Sequence, residues 1–294
     1  MQTKDFSEAR KNRDRQYNGR FYFSVKTTGT FCCPSCPAAL EAEENVFYLK
    51  NIFEALALGL RPCVSCRPDI FIEDYFGDCH TIPIVNKALA LICDGYLGFY
   101  SLSDLAAKLS VSDRYLRKLF VAHLGIPPVK ISRYFNTLFA QKLLLTSNSK
   151  ITDIAFASGF GSLRQFNDVF KAILGKTPKT VRAESESGQL TSCNTLLLRY
   201  GPGFDFRSRL AELEQTGANE KNGVISQGCY RREFQTDHTS GHLVVTESRS
   251  MPALELKIIC GDIRCYMEIY YKIRRLFNLD AYPLCKQDHP PNAG

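Results

Sequence analysis

Five of the twelve cysteines fall between residues 32 and 66, in two tight clusters. The first reads Phe31-Cys32-Cys33-Pro34-Ser35-Cys36. The second reads Pro62-Cys63-Val64-Ser65-Cys66-Arg67-Pro68. Thiolates are soft donors, and four of them suit a tetrahedral Zn²⁺ ion. A turn of two or three residues lets both sulfurs of a pair reach one ion, so the pattern predicts one Zn²⁺ bound by four cysteines. Three cysteines compete for the first pair. Cys33-x2-Cys36 with Cys63-x2-Cys66 is an ordinary structural spacing and leaves Cys32 spare. Cys32-x3-Cys36 with the same second pair leaves Cys33 spare. Spacing tilts towards the first arrangement and excludes neither.

Short elements must carry these clusters. Phe21-Tyr22-Phe23-Ser24-Val25 reads as a strand, and the Asn-Gly of Tyr17-Asn18-Gly19-Arg20 reads as a hairpin turn before it. Asn51 can cap a helix running through Ala57, with Gly59 ending it, and this helix would take the chain to the second cysteine pair. Glu73 to His80 reads as a linker.

This stretch resembles the N-terminal domain of the Ada family, bacterial proteins that repair methyl phosphotriesters in DNA. The resemblance is carried by Val25-Lys26-Thr27-Thr28-Gly29, Phe31-Cys32, Pro34-Ser35-Cys36-Pro37, Glu44-Asn45-Val46, Glu54-Ala55-Leu56 and Arg61-Pro62-Cys63. It implies that Cys32 is both a zinc ligand and the methyl acceptor, that Cys36, Cys63 and Cys66 complete the site, and that Cys33 is spare. Zinc would hold the thiol deprotonated, as attack on a weakly electrophilic methyl phosphotriester requires. The thioether product is not readily reversed, so the resemblance implies a single-turnover methyltransferase. Methylation would take the site from about −2 to about −1, which lessens repulsion of the DNA backbone and can act as a switch. The resemblance further implies activation of repair genes by the methylated protein. Two departures are present. Glu41, Glu43 and Glu44 stand in a loop where the family carries basic residues, and Val64-Ser65 fills a site often basic.

The chain of 294 residues has room for two or three domains, and 45% apolar residues give it real cores. Met1 to Arg20 is polar and charged, so neither a signal peptide nor an anchor is expected, and no apolar run reaches membrane-spanning length. The cysteines then suggest a reducing, cytoplasmic setting. The net charge of +7 is uneven: residues 80–190 hold 14 Lys+Arg against 7 Asp+Glu, whereas the segments on either side are nearly balanced. Nucleic acid is expected to meet this middle segment.

The middle segment repeats itself. Leu102-Ser103-Asp104-Leu105-Ala106-Ala107-Lys108-Leu109-Ser110-Val111-Ser112-Asp113-Arg114-Tyr115-Leu116-Arg117-Lys118-Leu119-Phe120 is matched by Ile151-Thr152-Asp153-Ile154-Ala155-Phe156-Ala157-Ser158-Gly159-Phe160-Gly161-Ser162-Leu163-Arg164-Gln165-Phe166-Asn167-Asp168-Val169-Phe170. Each copy predicts a short helix, a tight turn and a second helix. Ala106 and Ala155 are small where the helices would cross, and Val111 and Phe160 would plug the turns. Helix-turn-helix pairs of this kind offer the second helix to a major groove. Pro127 to Leu145, a long amphipathic stretch, joins the copies. With Gly175-Lys176-Thr177-Pro178 after it, the second copy resembles the AraC-type DNA-binding domain. That resemblance points to Ser112, Arg114, Arg117 and Lys118 in the first copy, and Ser162, Arg164, Gln165 and Lys171 in the second, as DNA-facing.

A second linker is read at Glu184 to Asn194. Beyond it, strands are predicted at Leu196–Tyr200, around Val224, and at Tyr230–Phe234, Leu243–Glu247 and Leu254–Ile259. Helices are predicted at Phe206–Gln215 and Cys265–Phe277. Tyr230 and the nearby arginines read as a sheet surface. Leu198-Arg199-Tyr200-x-Pro202, Tyr230-Arg231-Arg232 and Arg275-Leu276-Phe277-x-Leu279-Asp280 resemble the N-terminal domain of the AlkA glycosylase family. That implies a TATA-binding-protein-like α+β fold. No residue matches the family's catalytic aspartate, so glycosylase activity is not expected.

The expected fold class is therefore multidomain α+β: a four-cysteine zinc domain over 1–78, an all-α double helix-turn-helix domain over 82–183, and an α+β domain over 192–283. The resemblances imply a methyl-accepting repair protein and activator whose partners are double-stranded DNA, both methylated backbone and promoter sites, and RNA polymerase, with no membrane. The competing class is a transcription factor with a purely structural zinc site.

Overall fold

A computed structural model describes residues 3–63, 65, 66, 68, 82–184, 194–200, 203–215, 223–226 and 228–279. The expected linker Glu73–His80 lies outside the described residues, as does the second linker apart from Glu184 and Asn194.

The N-terminal unit starts with helix α1 (Thr3–Lys11) and contains strands β1 (Tyr22–Val25), β2 (Thr30–Cys32), β3 (Val46–Leu49) and β4 (Arg61–Pro62), with helix α2 (Ile52–Ala57) before β4. The sheet order is β3-β1-β2-β4. Every residue of β1 is buried, as suits a central strand covered on both faces. Phe6 of α1 stacks on Phe21 at 4.3 Å, and Tyr48 lies against both rings. The cap of α2 forms as expected: Asn51 accepts a hydrogen bond from the Glu54 N–H. The hairpin expected at Asn18-Gly19 does not form. A 3₁₀ turn, Arg15–Tyr17, precedes it, and the Asn18 side chain is committed to Ser35 in the cysteine loop.

The middle unit is helical: α3 (Pro83–Cys93), α4 (Leu102–Lys108), α5 (Asp113–Leu124), α6 (Pro128–Thr146), α7 (Ile151–Ala157), α8 (Leu163–Leu174) and α9 (Pro178–Ala183). The pairs α4–α5 and α7–α8 close through matching turns. Val111 N–H donates to Ala106 O, and Phe160 N–H to Ala155 O. Ala106 and Ala155 are buried at the crossings. Phe160 is buried in its turn and Val111 half-buried in the other. Between the two pairs, α6 buries Ile131, Phe135, Phe139 and Leu143, spaced at helical period along one stripe.

The C-terminal unit is an antiparallel sheet, β5 (Thr195–Arg199), β6 (Gly223–Ser226), β7 (Cys229–Gln235), β8 (Ser240–Glu247) and β9 (Ala253–Cys260), in the order β5-β9-β8-β7-β6. It carries α10 (Phe206–Gln215) and α11 (Tyr266–Leu276). Tyr230 is not at a sheet surface. It is fully buried, with its ring edge-on to Phe277 at 5.6 Å, and lies on the same face of the strand as the half-buried Arg232 and Phe234, the face that alternates with exposed Arg231, Glu233 and Gln235.

Helix α11 joins this unit to the helical one. Tyr270 meets Phe139 of α6 with ring centres 5.4 Å apart, and Lys142 donates to the Tyr270 hydroxyl at 2.7 Å. Arg275 donates to both carboxylate oxygens of Asp94 at 2.7 Å. Tyr100 donates to Asp237 in the β7–β8 turn, beside His238 stacked on Phe99 at 4.4 Å.

Candidate metal centre and nucleic-acid face

The parallel pairing of β4 with β2 builds the centre. Thr30 faces Arg61 and Phe31 faces Pro62, and the Cys63 N–H donates to Phe31 O. Cys32 and Cys63 therefore leave neighbouring strands side by side. Cys36 is brought back by a turn in which its N–H donates to Cys33 O. Asn18 clamps that turn from outside, donating to Ser35 Oγ at 2.9 Å and accepting from the Ser35 N–H.

The result settles which cysteines group together. The sulfurs of Cys32, Cys36, Cys63 and Cys66 all lie within 4.8 Å of one another. Cys36 Sγ is 4.0 Å from Cys63 Sγ, close to the edge of about 3.8 Å that a tetrahedron with Zn–S of about 2.3 Å would have. Cys33 stays outside the group, although its backbone N–H donates to Cys66 Sγ at 3.3 Å. This is the Cys-x3-Cys arrangement, and the spacing preference for Cys33 as a ligand is corrected. The end of β2 at Cys32 and the pairing of β4 with β2 place the sulfurs so, and neither is visible in spacing alone.

The electrostatics fit a cation. Hydrogen bonding to Cys36, then to Cys63 and Cys66, with burial added, pushes the Cys32 thiol far above the ordinary thiol range. Bonds from Cys32, Cys36 and Cys66 pull Cys63 far below it. Four sulfurs this close cannot share negative charge unless a cation sits among them, so the donor set fits one Zn²⁺. Cys32 is 5% exposed, and Cys63 is the most open of the four.

A residue that pattern reading missed supports the neighbouring acidic loop. Arg10 of α1 is buried and donates to Glu43 Oε2 at 2.7 Å, to Glu41 O at 3.1 Å and to Tyr48 Oη at 3.2 Å. Burial works against the Glu43 carboxylate, but hydrogen bonds from Tyr48, Arg10 and Ser7 overcome it and hold the carboxyl at about 2. Glu43 is thus an internal counter-ion, and its negative charge is balanced by Arg10 of α1. An arginine on an amphipathic first helix gives no sequence signal for this role.

The two recognition helices present the other face. Arg114, Arg117 and Lys118 on α5, and Arg164, Gln165 and Lys171 on α8, are all exposed. Arg117 sits 3.9 Å from Asp113 on the same helix. Ser112 and Ser162 are exposed N-caps, accepting from the Tyr115 and Gln165 N–H groups at 3.2 Å each. Two apolar side chains stand with them: Tyr115 is 49% exposed and Leu163 37%. Such groups at the start of a recognition helix can meet thymine methyls; the sequence pattern did not single them out.

The zinc unit abuts the far ends of the same helices. Arg61 of β4 lies over Gly175, the C-cap of α8, where an added Cβ would be 2.3 Å from its Nη1. Ala57 of α2 lies near Gly125, the C-cap of α5.

Three family models match: the metal binding domain of Ada over residues 5–69, a helix-turn-helix domain over 105–184, and the AlkA N-terminal domain over 195–289. The bifunctional transcriptional activator/DNA repair enzyme AdaA of Bacillus subtilis (strain 168) is 30% identical over 175 residues, which span 60% of this chain and 80% of that protein. The chain belongs to the Ada family. A probable bifunctional transcriptional activator/DNA repair enzyme AlkA of Mycobacterium tuberculosis (strain CDC 1551 / Oshkosh) is 31% identical over 280 residues, 92% of this chain and 55% of that protein. The Escherichia coli (strain K12) bifunctional transcriptional activator/DNA repair enzyme Ada is 32% identical over 175 residues, 60% of this chain and 48% of that protein. The chain thus spans about half the length of the mycobacterial relative. Among the described residues no helix is long and apolar enough to cross a membrane.

Proposed function

We propose that the chain repairs methyl phosphotriesters in DNA by taking the methyl group onto Cys32, and that it activates transcription once methylated. The observation that carries this reading is the sulfur cluster, which includes Cys32 and leaves Cys33 out. Relatives named as activators and DNA repair enzymes support it.

Cys32, Cys36, Cys63 and Cys66 would hold one Zn²⁺, whose positive charge would keep these thiols deprotonated at neutral pH. Cys32 Sγ attacks the methyl carbon in line. The S–C bond forms as the C–O bond breaks, and the phosphodiester leaves with the electron pair. Cys33 N–H holds Cys66 in place through its sulfur, and the Asn18–Ser35 clamp holds the loop that carries Cys36. The thioether has no route back, so each molecule acts once.

Exposed Arg114, Lys118, Arg164, Gln165 and Lys171 supply charge and donors for a promoter, while Ser112 and Ser162 order the helix ends next to phosphate. Methylation makes the centre less negative by about one charge, beside units that meet both recognition helices, so promoter affinity rises. RNA polymerase is the partner that activation requires.

The test is stoichiometry. Zinc-loaded protein is incubated with a large excess of DNA carrying methyl phosphotriesters, and methyl groups removed are counted per protein. One per molecule is expected. Continued removal would establish turnover, and none with zinc retained would leave a regulator with a structural zinc site.

A further inference from the structure

A second pair of sulfurs lies far along the chain from the zinc centre. Cys260 ends β9, and Cys265 closes the 3₁₀ turn Ile263–Cys265 that leads into α11. Their sulfurs are 3.5 Å apart. Both thiols donate to the same acceptor, Asp262 O, at 3.3 and 3.0 Å, so the turn holds them on one side of a single carbonyl. The turn itself is pinned. Asp262 accepts from the Arg264 N–H at 3.0 Å and forms an ion pair with the Arg264 guanidinium at 2.6 Å. Opposite Cys260 the sheet has Gly241, where an added Cβ would lie 2.9 Å from Cys260 Cβ. The room for Cys260 therefore depends on that glycine. Cys260 is half-buried and Cys265 fully buried. Burial and the neighbouring Cys260 sulfur push the Cys265 thiol up, so it waits protonated.

We propose that Cys260 and Cys265 form a modification site for hydroperoxides, oxidised together to an intramolecular disulfide. The accessible Cys260, as thiolate, attacks the peroxide oxygen. Its S–O bond forms, the O–O bond breaks, and an alcohol (water, from hydrogen peroxide) leaves. Cys265 sulfur then attacks the Cys260 sulfenic sulfur, and water departs with the Cys265 proton. Two thiols and one hydroperoxide give one disulfide, one alcohol and one water. The turn rests on α7, the first helix of the second helix-turn-helix pair, so the mark is made where the C-terminal unit supports the DNA-binding unit.

The experiment uses the full zinc-loaded chain with a small excess of cumene hydroperoxide. Intact mass, a non-reducing peptide map and zinc content are read together. A mass decrease of about 2 Da, for two hydrogen atoms, with the Cys260 and Cys265 peptides linked and zinc retained, is expected. In Cys265→Ser the link is lost and dimedone traps Cys260 as sulfenic acid; in Cys260→Ser, Cys265 stays a thiol. Because either variant could fold poorly, phenylarsine oxide, which bridges adjacent thiols with loss of water, serves as an independent probe and should protect the pair in the wild type. Accumulation of unlinked sulfenic or sulfinic Cys260 in the wild type, or oxidation of Cys32, Cys36, Cys63 and Cys66 with zinc release before any link forms, would overturn the proposal.

Discussion

Arg10 and Glu43 show how a charge near the cysteine centre can be structural. The guanidinium is buried, and Glu43, Tyr48 and the Glu41 carbonyl all accept from it. Arg10→Met should lower the free energy of unfolding of the zinc-loaded protein by about 1.5–3 kcal/mol, the range for hydrogen bonds to a charged group, as read by urea denaturation. The pH dependence has a definite sign. Glu43 falls from an ordinary value of 4.5 to about 2 when folded, so its contribution is complete above 4.5 and is lost as the pH falls towards 2. The stability gap between wild type and Glu43→Gln should therefore narrow between pH 6 and pH 3. A constant gap would mean the carboxylate does not titrate with folding. At this scale the cysteine quartet was legible as a zinc site from thiol chemistry and clustering. The exclusion of Cys33 was not, since it depends on where β2 ends and on the pairing of β4 with β2. Arg10 was invisible because its partners lie more than thirty residues away.

The helix-turn-helix repeat was legible as a pair of elements because periodicity, small residues at the crossings and N-capping serines agree in both copies. Its turns differ in one respect. The second copy has Gly159 at φ 77°, whereas the first places Ser110 at φ 59°, where a side chain crowds the backbone. Ser110→Gly should raise stability by about 0.5–1 kcal/mol, and thermal or urea unfolding would read it; a loss would mean that the serine makes an offsetting interaction. Gly175→Ala should do the reverse, because it combines φ 72° with a Cβ directed at the Arg61 guanidinium. The Asn-Gly signal at Asn18-Gly19 misled for an elementary reason. An Asn-Gly pair specifies a tight turn, but whether strands flank it depends on what its side chain must hold, and here that is Ser35.

At the scale of the molecule, the third unit is fastened to the helical one. Asp94 is 16% exposed and Arg275 about half exposed. Burial pushes the Asp94 carboxyl up even with Arg275 beside it, so the cost of this pair lies in the buried carboxylate. Arg275→Ala, which strands that carboxylate, should destabilise by about 1–3 kcal/mol, and Asp94→Asn should cost less. Equal costs in denaturation would show the seam to be apolar in substance, resting on Phe139 and Tyr270. The sequence announced three blocks of different composition and the excess positive charge of the middle one. It could not announce that α11 would use one face for its own sheet and another for α6, because an amphipathic pattern names a buried face and not what covers it.

The proposed repair chemistry turns on Cys32 as the methyl acceptor. Cys32 is nearly buried and Cys63 is more open, so the position of the methyl group is the discriminating fact. Zinc-loaded protein is reacted with DNA bearing isotopically labelled methyl phosphotriesters, digested, and mapped by mass spectrometry. The label should sit on Cys32 alone, and Cys32→Ser should take up none. Label on Cys63, on Cys33 or on no cysteine at all, with zinc still bound, would contradict the assignment.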